Sequence, residues 1–356
     1  MELTKDDSKI LKGIAIILMV LLHLFCRKEI EGFYTTSFYI NDIPLVYYIG
    51  LFGDACRPIY LFVTGYAFYL TFIDRDIKQT INKNMIRIFK LFMNFWIMLL
   101  LFLVLSLLIG RIDVFGSLQQ FLLNFTLLDY SYNGAWWFLQ IYIIIVLLSP
   151  LLIKIVKNTP IALLLPISGI VYAACYLQFY KSILDFGPLT IIESQLCLIG
   201  TSQFSFFIGA IFSKYKWLTK IYNTVHHIKF KNALCMMGVL SLIIFHGFVE
   251  SAIIAPVNGI FFIVLFSLMT KKRWVTALLQ YISSHSTNIW LTHMFFYTMM
   301  FPGLAFLPNS PLLVFIWTMA LCIIASYTIK LFFNPLSRGI DKRLKSKNGD
   351  TLLKVS

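Results

Sequence analysis

Charge is scarce in this chain: 13% of its 356 residues are Asp, Glu, Lys or Arg, and only 16 are acidic. A soluble protein of this length needs more charge to cover its surface, so the scarcity excludes an ordinary water-soluble enzyme. Polar stretches long enough to fold as a separate soluble domain are missing too, as are heptad repeats, low-complexity tracts and internal duplication. The six cysteines (Cys26, Cys56, Cys175, Cys197, Cys235, Cys322) fall singly among apolar runs without metal-ligand spacing. Neither a disulfide framework nor a zinc site is expected, and no metal is called for. The first apolar stretch lacks a small-residue cleavage site after it, so it reads as a retained helix and not as a signal peptide.

Hydrophobic residues make up 59% of the chain, and the mean hydropathy is +0.81. Ten apolar spans are legible, near 10–26, 45–73, 86–109, 136–153, 161–180, 196–212, 233–249, 252–270, 287–302 and 311–333. This is the pattern of an all-α polytopic membrane protein with about ten transmembrane helices. The net charge of +14 would suggest nucleic acid in a soluble protein, but its distribution argues for a membrane and no nucleic acid. If the N-terminus is cytoplasmic, all but five of the 30 basic residues (Arg27, Lys28, Arg57, Arg111 and Lys181) fall on inner segments. That asymmetry predicts both termini in the cytoplasm, with membrane lipids as the first partner. Residues 1–335 are expected to form one transmembrane domain and 336–356 a basic cytoplasmic tail. The second span is too long for one straight helix; a break near Gly53 and a restart at Pro58 are expected. The stretch Gly116 to Asn133 is amphipathic and suits the outer interface, and 214–232 reads as a basic inner loop.

Lys12 and His23 are ionisable where lipid should be, and such groups mark functional sites by default. Eleven residues separate them. At 3.6 residues per turn that is three turns plus about 20°, so both face one stripe, roughly 16 Å apart along the axis. A packing histidine and a snorkelling lysine are the plainer reading of each alone. Asp54 and Arg57, three apart in the second span, are expected to form an ion pair inside the outer half. His246 and Glu250 lie at an outer end, where they read either as exposed interfacial residues or as the lining of an acceptor groove. Arg87 and Lys90 add cations near the inner face.

Four stretches, in order, resemble the membrane-bound acyltransferase 3 family. Lys12, ten residues and then His23 are similar to its first-helix signature. Pro58-Ile59-Tyr60-Leu61-Phe62-Val63-Thr64-Gly65-Tyr66 resembles its proline- and aromatic-rich second helix. Trp137-Phe138-Leu139 with Pro150 resembles a third motif, and Ser283, Ser286, Ile289, Trp290, Leu291 and His293 a fourth near the C-terminus. Lysine stands at 12 where arginine is better known, Thr64 where serine is usual and Trp290 where tyrosine is usual. No hydrolase-like soluble domain accompanies these motifs, so transfer is expected within the membrane domain.

The resemblance implies transfer of an acyl group, usually acetyl, from cytoplasmic acyl-CoA to a hydroxyl of an envelope glycan or lipid-linked sugar. The setting would be a bacterial inner or plasma membrane. His23 is then expected as general base, with a covalent acyl-histidine left open. Lys12, Arg87, Lys90 and His293 are expected at the donor, His293 being read as about 10 Å into its helix and shallower than His23. Asp54, Arg57, Thr64, Gly65 and Trp137 are expected to line the pocket. The polar run Ser283 to Asn288 is read as opening its helix. The alternative is a transporter or exporter of a glycan or small metabolite, with His23 as proton relay; a chemically inert anchor subunit is a third reading. Acceptor identity, acyl type and oligomeric state are not written in the sequence.

Overall fold

The protein is described by a computed structural model covering residues 2–353, with side chains through residue 344. Of the expected basic tail, Lys345 and Lys347 fall outside the described side chains, and Lys354 falls outside the description altogether. Among the described residues the only strands are a two-residue hairpin, β1 (Tyr39–Ile40) and β2 (Ile43–Pro44); everything else of regular structure is helical.

The first helix, α1 (Lys5–Phe25), opens on a capping box. Thr4 Oγ1 accepts from the Asp7 amide at 3.1 Å, and Asp7 Oδ2 accepts from the Thr4 amide at 3.0 Å, so two otherwise unbonded donors are satisfied at once. The second span is broken, as its glycines and proline predict. α2 (Leu45–Phe52) gives way to a tight turn at Gly53–Ala55, and α3 (Cys56–Phe72) follows with Pro58 in its first turn. Next come α4 (Ile77–Leu108) and the eight-residue α5 (Leu118–Phe125). The latter is held to α4 where Trp96 Nε1 donates to the Phe125 carbonyl at 2.9 Å. Then follow α6 (Trp137–Asn158), α7 (Ile161–Lys181), α8 (Thr190–Tyr215), α9 (Trp217–Val225) and α10 (Lys231–Phe248). The chain ends with α11 (Ala255–Leu268), α12 (Arg273–Met294), the short α13 (Pro302–Ala305) and α14 (Pro311–Leu353). The region read as a bare inner loop, 214–232, therefore carries α9, whose Trp217 packs edge-on against Phe212 at 5.0 Å.

Among the described residues seven helices are long and apolar enough to cross a membrane: α1, α4, α6, α7, α8, α10 and α14. The chain is thus an all-α multi-pass membrane protein. The other three expected spans coincide with helices that fall short for visible reasons. The α2–α3 span is broken at the turn, and α11 has only 14 residues. α12 is polar on one side, where His285, Asn288, Thr292 and His293 are buried, as intramembrane polar groups must be. α12 also corrects the expected boundary. It begins at Arg273 and not near 287, so Ser283 to Asn288 lie within the helix and cap nothing.

Helix α8 runs through the middle, with 83% of its apolar stretch buried, whereas that of α10 is 11% buried and faces outward. The outward side chains of α10 include Met236, Leu240 and Phe248, all exposed in the protein alone and apolar; lipid covers such surface at no cost. Two close backbone approaches fix the centre. Gly65 of α3 lies on the Phe206 carbonyl of α8, and Gly209 of α8 on the Phe62 carbonyl of α3. Gly13 of α1 lies on the Leu279 carbonyl of α12. Small residues let backbones meet where apolar burial between helices gives no advantage over lipid.

A Cβ at Gly13 would collide with main chain, which cannot step aside. Gly13→Val is expected to cost about 1–3 kcal/mol by overpacking. Gly303→Ala, with nothing within 4 Å of the added carbon, should stay within about 0.5 kcal/mol of the parent. Thermal unfolding of the two purified variants checks the contrast.

Candidate active site

Four turns of α1 place Lys12, Ile16, Met19 and His23 along one wall of a single cavity of about 730 Å³. Spacings of four, three and four residues keep them on one face of the helix. At the end nearest the start of α1 the cavity is cationic: Lys12, Arg87, Lys90 and Lys330 line it. Arg87 lies over the Phe68 ring, 4.7 Å from its centroid, and donates to Asn84 Oδ1 at 3.3 Å. Among the described residues neither Lys12 nor Arg87 meets a carboxylate within ion-pair distance. Lys90 does, at 2.6 Å from Asp341 of α14, so part of its charge is already answered. Lys330, which the charge count places with the inner basic residues, sits in the wall, with Nζ 3.3 Å from His285 Nδ1.

The wall between the two ends is polar along α12 and α4. Asn94 Nδ2 donates to Asn288 Oδ1 at 2.6 Å, and Asn288 Nδ2 donates to Ser326 Oγ at 2.9 Å. These ties join α4, α12 and α14 through groups that would otherwise be unsatisfied inside a membrane. Thr64 lines the cavity and donates to the Tyr60 carbonyl at 2.8 Å. Gly65 does not line it: its place is the α3–α8 crossing, so the pocket role expected for it is corrected. Asn94, Asn288, Tyr60 and Lys330 are wall residues that sequence reasoning missed. The Asn pair had one available signal, two amides on separate apolar helices, each of which needs a partner.

At the far end stand His23, Asp54, Arg57 and Trp137. The expected Asp54–Arg57 ion pair is absent among the described residues. Asp54 belongs to the tight turn and Arg57 to α3, so the break aims them apart. Asp54 Oδ2 lies 3.3 Å from His246 Nε2, and Asn258 Nδ2 lies 3.0 Å from His246 Nδ1. His246 is wholly buried, which overturns its reading as an exposed interfacial residue. Arg57 lies over the Trp137 ring, 5.4 Å from its centroid, a cation–π contact. Just outside this end, Lys28 reaches Glu250 at 2.7 Å, and Tyr47 donates to the same carboxylate at 3.0 Å. The Lys28 ammonium holds the Glu250 carboxyl below the usual carboxylate range.

The largest correction concerns His293. It lies about 30 Å along α12 from Arg273, not 10 Å, and is 1% exposed. Because α1 and α12 run side by side from the Gly13 contact, it arrives level with His23. His293 Nε2 is 3.1 Å from His23 Nδ1, and His293 Nδ1 is 2.7 Å from the Trp290 carbonyl. It is therefore not a cavity-wall donor contact but a partner behind His23. Three bonds pin this part of α12 to the start of α6. Trp136 Nε1 and Asn133 Nδ2 both donate to the Leu291 carbonyl, at 3.2 and 3.0 Å, and Trp290 Nε1 donates to the Ala135 carbonyl at 3.2 Å. A π-helical turn at Phe295–Met299 follows at once, a local irregularity common near functional sites.

A multi-pass helical bundle, with one internal cavity that is cationic at one end and holds a paired imidazole at the other, defines a membrane enzyme in class. The acyltransferase domain of the acyltransferase 3 family matches residues 6–331, nearly the whole chain. The chain belongs to that family and is a membrane acyltransferase. No curated protein and no solved structure matches it.

Asn288→Ala would strand Asn94 Nδ2 in the interior and is expected to cost about 1–3 kcal/mol. The double variant Asn94→Leu/Asn288→Leu should cost less than the sum of the two single replacements, because no unpaired amide remains. Unfolding midpoints of Asn94→Leu, Asn288→Leu and the double variant give the coupling.

Proposed function

We propose that the protein transfers an acyl group, acetyl in the simplest case, from cytoplasmic acyl-CoA to a hydroxyl of an extracytoplasmic glycan or lipid-linked sugar. One observation carries this reading: a single cavity joins four cations at one end to His23 at the other. A CoA thioester has the matching shape of charge, with its phosphates at one end and its reactive carbon at the end of a slender arm. Phosphates are too highly charged to enter lipid, so they stop at Lys12, Arg87, Lys90 and Lys330. Of these, Lys12 and Arg87 have the most charge to offer, since Lys90 is already paired. The arm then runs along the Ile16–Met19 face toward His23.

The acceptor enters from the opposite end, beside Asp54, Arg57 and Trp137. The ring of Trp137 and the charges of Asp54 and Arg57 suit a sugar's apolar face and its hydroxyls. His23 takes the hydroxyl proton as the oxygen attacks the thioester carbon. The carbon–sulfur bond then breaks, and the proton passes to the departing thiolate. General base catalysis of this kind contributes roughly 10²–10⁴-fold.

His23→Ala is accordingly expected to lower transfer by at least about 100-fold while the protein still folds and the glycan still reaches the cell surface, unacylated. Mass spectrometry of surface glycans reads both. Loss of the glycan itself would favour an exporter. Lys12→Ala and Arg87→Ala should each raise KM for acyl-CoA about tenfold, the equivalent of 1.4 kcal/mol of binding, with kcat little changed. A fall in kcat at constant KM would remove these two residues from donor binding.

A further inference from the structure

We infer that His293 is a positioning residue: it fixes the tautomer of His23 so that Nε2, and not Nδ1, is the base. The inference rests on the reading of His23 as the base and adds which atom acts and why. The Trp290 carbonyl can only accept. The 2.7 Å contact to it therefore puts the ring proton of a neutral His293 on Nδ1, leaving a lone pair on Nε2. That lone pair lies 3.1 Å from His23 Nδ1, a contact that needs one proton between two nitrogens. His23 supplies it from Nδ1. Its Nε2 is then left unprotonated, on a residue that lines the cavity. Each ring nitrogen's state is set by the bond the other makes.

The chain has a second consequence. When Nε2 takes the proton of the acceptor hydroxyl, Nδ1–H keeps its bond to His293, which steadies the imidazolium. The proton taken from the hydroxyl has no path beyond the pair, because the Nδ1–H of His293 donates to a carbonyl that cannot bind and pass on a proton. It stays on Nε2 until the carbon–sulfur bond breaks and the thiolate takes it. The pair so arranged serves transfer within one site; a proton wire across the membrane would need an exit that this chain lacks. Rigid placement supports the same role: His293 is pinned through Leu291 and Trp290 to the start of α6, and the Tyr297 ring stacks on it at 6.0 Å.

The test reads the resting enzyme without substrates, so it is independent of whether acyl transfer is the right function. The full-length protein in lipid nanodiscs, labelled with ¹⁵N-histidine, is examined by NMR, with the His23 signals assigned by their loss in His23→Gln. The expected result is a protonated Nδ1 and an unprotonated Nε2 on His23, with the Nε2–H form growing in when His293→Ala removes the acceptor. A His23 that carries its proton on Nε2 in the parent protein overturns the inference, as does a tautomer that His293→Ala leaves unchanged. In transfer assays His293→Ala should lose roughly 10²–10⁴-fold in kcat, the contribution of a general base, at unaltered KM for acyl-CoA. His293→Gln, whose side-chain oxygen can accept from Nδ1–H, should recover to within about tenfold of the parent, a deficit of 1.4 kcal/mol or less. If His293→Ala does not fold, the parent spectrum and His293→Gln still decide. A raised KM at constant kcat would return His293 to the donor site and contradict the assignment.

Discussion

Polar groups inside a bilayer have no water to turn to, and here they turn to one another, His23 to His293 across the seam between α1 and α12. The approach of these two helices at Gly13 and Leu279 is the constraint on which the rest depends. It brings His23 and His293 level, and it leaves the Lys12 face of α1 turned toward α3 and α4 instead of lipid. An unsatisfied polar group in hydrocarbon costs several kcal/mol. The bundle lowers that cost by building part of its polar residues into bonded sets: Asn94 with Asn288 and Ser326, His246 with Asn258, His23 with His293. Among the described residues Lys12 and Arg87 meet no carboxylate within ion-pair distance, and both line the cavity, so their charge is open to a ligand there.

The two ends of the cavity therefore differ in kind. The basic end offers long, mobile side chains that can gather around phosphates as point charges, which asks little geometric precision of Lys12. The far end is built from short or pinned groups. Asp54 sits in a tight turn, Arg57 is held over Trp137, and His23 is backed by a buried ring. Looseness at the donor's handle and rigidity at the reacting atoms suit an enzyme that must hold geometry only where bonds change.

Much of this was legible in sequence, and the failures share a cause. The ten apolar spans mark where helices occur, and the break at Gly53 follows from local residue chemistry. The helical period put Lys12 and His23 on one stripe, and both line the cavity. Depth along α12 was lost because a helix that buries a polar face does not read as an apolar run. Its first four turns were taken for a loop, so His293 was placed far too shallow. Lys330 counts in sequence only as one of the inner basic residues, because nothing local shows that α14 turns it toward the cavity. His246 could be read as exposed from its nearness to Glu250, although only tertiary packing by Asn258 and Asp54 decides its burial. Gly65 is the residue of its motif that serves helix packing, while Tyr60 and Thr64 of the same stretch line the pocket. Local pattern fixes which face a residue takes; which neighbour it meets is a property of the bundle.

The central claim is that one water-tolerant passage links the basic end to His23 and takes the donor along it. A structure of the protein with a non-hydrolysable acyl-CoA analogue, in which a methylene replaces the thioester sulfur, tests that most directly. The account predicts phosphates among Lys12, Arg87 and Lys330, and the acyl carbonyl carbon within about 3–4 Å of the site where an oxygen bonded to His23 Nε2 would stand. An analogue bound elsewhere, or one whose acyl end stops short of His23 with closed side chains between, would contradict it.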